Sequence, residues 1–88
     1  MNYSLEGEIE PRGNRLRVRL RLCRGIHIVD AFRETFDLTA PLRPALMRMR
    51  EFLPKEFRND PKVQAAVFDP VEEIWRHRLN CLQQPLPR

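Results

Sequence analysis

From Arg15 to Leu22 the chain alternates arginine with an aliphatic residue without exception: Arg15-Leu16-Arg17-Val18-Arg19-Leu20-Arg21-Leu22. Successive side chains of a strand point to opposite faces, so this run puts Leu16, Val18, Leu20 and Leu22 on one side and four guanidinium groups on the other. At helical spacing the same leucines would be scattered around the whole cylinder. The period predicts a half-buried strand. The rest of the chain has to cover its apolar face and either satisfy its cationic face or leave it open.

Eighty-eight residues suffice for one domain with a modest core and leave little for a deep cleft, so a binding module is expected ahead of an enzyme. The sequence has no glycine-rich phosphate loop, nucleophile-elbow motif or paired His-Glu metalloprotease helix, and Ser4 is its only serine. Neither catalysis nor a cofactor is expected. No apolar run approaches the ~20 residues that cross a bilayer, and Met1-Asn2-Tyr3-Ser4-Leu5-Glu6 lacks the basic-then-apolar order of a signal peptide. A cytoplasmic location with no membrane partner is expected.

The net charge of +4 conceals strong segmentation. Residues 1–11 carry Glu6, Glu8 and Glu10 with no base, whereas residues 12–24 carry Arg12, Arg15, Arg17, Arg19, Arg21 and Arg24 with no acid. Ser4 to Glu10 alternates well enough for a first strand, and Pro11-Arg12-Gly13-Asn14 supplies a turn. Antiparallel pairing of these two strands would set the glutamates beside the arginine column, each opposed pair contributing about 0.2–1 kcal/mol. Arg24-Gly25 marks a second turn and Ile26-His27-Ile28-Val29 begins a third strand. The apolar parity slips near Val29-Asp30, which predicts a β-bulge there, with Asp30 opposite Arg19 and Glu34 opposite Arg15. Phe32 to Leu38 continues the strand; a short helix capped by Asp30 is the competing reading.

Leu42, Ala45, Leu46, Met49, Phe52 and Leu53 recur at helical spacing, with Pro44 in the first turn and Pro54 as the stop. This helix is expected to lie on the leucine face of the sheet. Asp60-Pro61 and Asp69-Pro70 each place a capping acid before a proline, predicting a short helix and then a longer one from residue 70 to about 83 that carries Val71, Ile74, Trp75, Leu79 and Leu82. The expected architecture is α+β. A three-stranded antiparallel sheet packed on one helix is followed by two C-terminal helices, in a single domain over residues 1–83 with a flexible tail at 84–88. The Pro-Leu-Pro-Arg end of that tail also has the form of a short peptide ligand.

Cys23 and Cys81 are too few for a disulfide framework and are expected to be small apolar residues. The competing reading joins Cys23 and His27 to His77 and Cys81, two mirror-image pairs that use every Cys and His in the chain, as a tetrahedral zinc site; it requires all four to meet. The arginine column is the main functional candidate, because a sheet or ribbon enters the major groove of duplex DNA and arginine reads guanine bidentately.

The run Arg12-Gly13-Asn14-Arg15-Leu16-Arg17-Val18-Arg19-Leu20, the turn at Arg24-Gly25, and Arg33-Glu34-Thr35-Phe36-Asp37-Leu38-Thr39 before a helix resemble the N-terminal arm-type DNA-binding domain of phage tyrosine integrases over residues 8–53. The resemblance implies a three-stranded sheet with a helix behind it and DNA contact through Arg15, Arg17, Arg19 and Arg21, with Arg33 a poorer candidate. The chain departs from an integrase after residue 60, where two further helices replace a catalytic domain, so recombination is not implied. On the residues alone, the expected partner is duplex DNA or another nucleic acid, met by Arg12, Arg15, Arg17, Arg19, Arg21 and Arg24. The alternative is a protein-interaction adaptor, inhibitor or assembly subunit that docks on an acidic partner or forms a homodimer. Trp75, Arg76 and Arg78, with Met47 and Met49, would supply its interface, unless Trp75 and Met49 are core. Glu6, Glu8 and Glu10 discriminate the two, since covering the arginines would remove the DNA surface.

Overall fold

The alternating run forms the central strand of a three-stranded antiparallel sheet of order β1-β2-β3. The structure is a computed structural model that describes residues 2–83, the side chains of 79–83 excepted; the expected tail and its peptide-ligand motif lie outside the described residues. Strand β1 spans Tyr3–Arg12, β2 Arg15–Arg24 and β3 His27–Asp37. Both connections are two-residue loops, Gly13-Asn14 and Gly25-Ile26, with φ of 58° and 63° at the glycines and no positive φ at the residue that follows. A positive φ confined to the first central position is the pattern of a type II′ hairpin turn, whose twist matches that of the flanking strands.

Strand β2 behaves as its period dictates. Leu16, Val18 and Leu20 are wholly buried and Leu22 nearly so, while Arg15 and Arg21 are exposed and Arg17 and Arg19 half-buried. Helix α1 (Leu42–Phe52) buries Ala45 and Met49, and Leu53 just beyond it is also buried. It lies over the β3 side of the leucine face, where Phe52 meets Phe32 at 5.6 Å between ring centroids and Arg48 bridges to Glu34 at 2.9 Å. A short turn of helix, α2 (Lys55–Arg58), follows Pro54 and has no counterpart in the sequence expectations. The remaining helices cover the β1 side. Val67 approaches Gly7 so closely that a Cβ there would meet Val67 Cγ2 and Leu20 Cδ2 at 3.4 Å each. Phe68, Val71 and Trp75 complete the core with Phe36 and Leu38.

The C-terminal half corrects one expectation. Asp60 caps α3 (Pro61–Val63) as its type suggests, its Oδ1 accepting the Lys62 N–H at 2.9 Å. Asp69-Pro70, however, does not start a separate helix. Residues Gln64–Phe68 form a π-helical turn that runs directly into α4 (Asp69–Gln83). Asp69 itself has helical φ and ψ, and its carboxylate accepts a hydrogen bond from Gln64 Nε2 at 2.8 Å instead of capping the backbone. The reason lies in Pro70, which has no N–H to give to the carbonyl four residues back and whose ring crowds that carbonyl. Widening the preceding turn, so that the Asp69 N–H bonds back to Gln64 O, lets the helix pass the proline without stopping.

The third strand supplies a second correction. The bulge falls where parity predicts it, at Val29, between the Cys23–Ile28 and Leu22–Asp30 pairs. The register is different: Asp30 opposes Leu22 and Glu34 opposes Val18, while Arg33 opposes Arg19 and Asp37 opposes Arg15. The Gly25-Ile26 loop uses two residues and pairs Arg24 with His27. Adding the bulge residue then carries the odd-numbered residues of β3, not Asp30 and Glu34, onto the arginine face.

The core reading has a direct check by chemical denaturation. Phe68→Ala, at a fully buried site among β2, α1 and α4, is expected to cost about 3–5 kcal/mol. Met47→Ala, on the exposed side of α1, is expected to stay within about 0.5 kcal/mol.

Candidate nucleic-acid interface

The open face of the sheet is built from the even residues of β1 and the odd residues of β2 and β3. Glu6, Glu8 and Glu10 sit directly across from Arg21, Arg19 and Arg17, and Arg12 across from Arg15. On the other flank, Ala31, Arg33, Thr35 and Asp37 face Arg21, Arg19, Arg17 and Arg15. The face is therefore split, acidic along β1 and basic along β2 and the middle of β3. Arg24 is not part of it. Its even number places it in the register of the leucines, paired with His27 and Tyr3 beyond the end of the core.

The glutamates cover the arginines only in part. Arg21 Nε lies 3.7 Å from Glu6, and Glu10 pairs with Arg12 on its own strand at 2.7 Å instead of with Arg17 across the ladder. Among the described residues the one other ion pair is Arg48–Glu34, on the helical side. Arg15, Arg17, Arg19 and Arg33 thus make none, and the buried Nε of Arg19 has no hydrogen-bond partner. Glu10 is held below the usual glutamate range by the hydrogen bond and charge of Arg12, with Arg17 and Arg19 adding to the effect. Asp37, at the end of the column, is likewise lowered. It accepts from Thr39 Oγ1 at 2.7 Å and Thr39 N at 2.9 Å, and the charge of Arg15 contributes.

The residues proposed for the alternative interface divide. Trp75 is core: its ring is 6.4 Å from Phe36 and its indole Nε1–H donates to Ala40 O at 2.9 Å, which satisfies the one polar atom of a buried ring. Met49 is fully buried. Arg78 donates to Asn14 Oδ1 and ties α4 to the first hairpin turn. Arg76 and Met47 remain exposed. The four zinc candidates do not assemble. His77 lines a depression with Pro11 and Gly13 at the first turn, whereas Cys23 and His27 lie at the other end of β2, roughly 30 Å away along the strand. The Cys81 side chain lies outside the described residues. Cys23 is buried, as a small apolar residue would be.

Arg33 is the residue that the sequence reading undervalued. Counting the two-residue loop and the single bulged residue through the hairpin gives it the parity of Arg19, and that count was available in the residues themselves. The fold and this face define a small α+β domain with an open sheet surface split by charge. No protein-family model, curated protein or solved structure matches the chain.

The lowered carboxylates make acid stability a readout of the face. A carboxylate whose folded pKa is depressed contributes stability that is fully present above its unfolded pKa and lost as pH falls through the folded value. Glu10→Gln is therefore expected to lose less melting temperature than the parent on acidification below the ordinary glutamate range, as followed by circular dichroism.

Proposed function

We propose that the chain is a nucleic-acid-binding module that engages duplex DNA through the β2–β3 side of its open sheet face. The observation that carries this reading is Arg19 facing Arg33 across the ladder, with Arg17 and Arg15 beside them and none of the four in an ion pair among the described residues. Like charges directly opposite one another destabilise a sheet, and Glu8 and Glu10 face Arg19 and Arg17 from β1 without closing to ion-pair distance, so the arrangement favours a further anion on the β3 side. Guanidinium groups in a row suit phosphate oxygens and guanine edges, which accept bidentate hydrogen bonds. The acidic β1 edge repels phosphate and so directs the approach of a duplex to the β2–β3 side. The resemblance to integrase arm-type domains supports the same use of a three-stranded sheet.

The glutamates across from Arg17, Arg19 and Arg21 favour a second reading. A basic stripe beside an acidic one is complementary to a charged partner protein, or to a second copy of the same face. Salt-sensitive self-association by light scattering, with no retention of DNA, is the outcome that selects it.

Four arginines neutralising four phosphates give an expected slope of about −3.6 for log affinity against log salt. A flat salt response, or no duplex retained at low salt, overturns the DNA reading. Arg33→Gln separates binding from folding by sign. Removing the like-charge opposition is expected to raise stability by about 0.2–1 kcal/mol while weakening DNA binding. A loss of stability would instead mean that Arg33 serves the ladder.

A further inference from the structure

The two hairpin turns share one backbone design and differ in chemistry. At one end of the sheet Asn14 occupies the second loop position, its carbonyl accepting the Leu38 N–H at 2.7 Å and its side chain accepting from Arg78. At the other end Ile26 occupies the equivalent position and is 94% exposed, with Ile28 57% and Val29 49% exposed beside it. The turn conformation does not ask for an isoleucine, since the first turn adopts the same pattern of φ with asparagine in its place. Nor does the core, because the β2 side chains of the core cluster end at Leu20. Solvated apolar side chains grouped at a protruding tip mark a surface that meets something.

The surroundings of the tip say what it meets. Ile28 pairs with Cys23 in the register that continues the arginine column, so the apolar tip is the end of the basic face and not a separate patch. Between residues 19 and 33 the hairpin carries Arg19, Arg21, Arg24 and Arg33 against the single acid Asp30, and the carboxylate of Asp30 is engaged by the Ala31 N–H at 2.9 Å. The partner is therefore polyanionic outside and apolar within reach of a two-residue tip.

We propose that Ile26 is a wedge that enters the minor groove of duplex DNA and parts a base step, with Ile28 and Val29 covering the exposed base faces and Arg24 on the adjoining phosphates. This rests on the DNA-binding reading above and adds a mode of engagement to it. Apolar wedges of this size unstack a step and kink the duplex by about 20–90°, and pyrimidine–purine steps yield most easily.

The test uses a duplex of about 30 base pairs rich in TA steps, with a fluorophore pair on its ends and 2-aminopurine at the TA steps. The full chain is expected to raise both end-to-end energy transfer and 2-aminopurine emission. Ile26→Asn, which copies the other turn and should keep the parent melting temperature, is expected to abolish both signals and bind roughly tenfold more weakly, as befits the loss of one buried isoleucine, with the salt slope unchanged. Binding by the parent with neither signal, or Ile26→Asn retaining both, overturns the wedge and leaves the arginine face standing. No DNA binding by the parent overturns the face itself and the wedge with it. Capture by anionic vesicles in place of DNA, lost in Ile26→Asn, assigns the tip to a lipid surface and likewise overturns the proposal.

Discussion

Strand β2 is paired along both edges, so its backbone is committed and only its two faces remain to be used. One face is aliphatic and draws the helices onto it; the other is cationic and no helix among the described residues covers it. Burial of Leu16, Val18 and Leu20 fixes the register of the whole sheet, since a slip of one residue would exchange arginines for leucines under α1 and α4. The guanidinium groups thus stand in a row because the leucines between them must be buried.

The helical layer meets this demand from two directions. Helix α1 closes over β3 through Phe52 and Arg48, and the π-turn with α4 closes over β1 and β2 through Val67, Phe68 and Val71. At Gly7 the second group meets the sheet with no side chain between them, Val67 lying where a Cβ would come within 3.4 Å of it. Trp75 joins the groups by placing its ring beside Phe36 and its N–H on the loop that leads into α1. Surface charge is largely excluded from this construction, which leaves the open face free to vary without disturbing the core.

Much of this was legible in the residues. The period-two run, the Gly-X turns and the three-and-four spacing from Leu42 to Leu53 each report a local constraint that the tertiary structure does not override. Other features depended on counts or competition that a local pattern does not resolve. The bulge at Val29 could be located, yet the partners across β2 and β3 depend on adding loop and bulge residues together, and one miscount moves Arg33 off the face and Glu34 onto it. Asp69-Pro70 has the form of a helix start. The apolar residues on either side of it are buried in one continuous core, and a widened turn that keeps them in place prevails over the break that proline favours. The zinc reading paired residues by spacing alone and had no means of seeing that Cys23 and His27 sit at one end of the β2–β3 hairpin while His77, on α4, lies beside the first turn at the other end.

Among the described residues the outer edges of β1 and β3 are unpaired and offer backbone groups to any passing strand. Two copies meeting antiparallel along β1 around Glu8 would bring carboxylate against carboxylate at every second pair, Glu8 to Glu8 and Glu6 to Glu10, and Pro11 would withhold a donor. On β3 the extra residue at Val29 interrupts the straight run that a docking strand needs. The acidic border and the kinked margin therefore act as fences against sideways growth into fibrils, a hazard that any small open sheet with bare rims must contain.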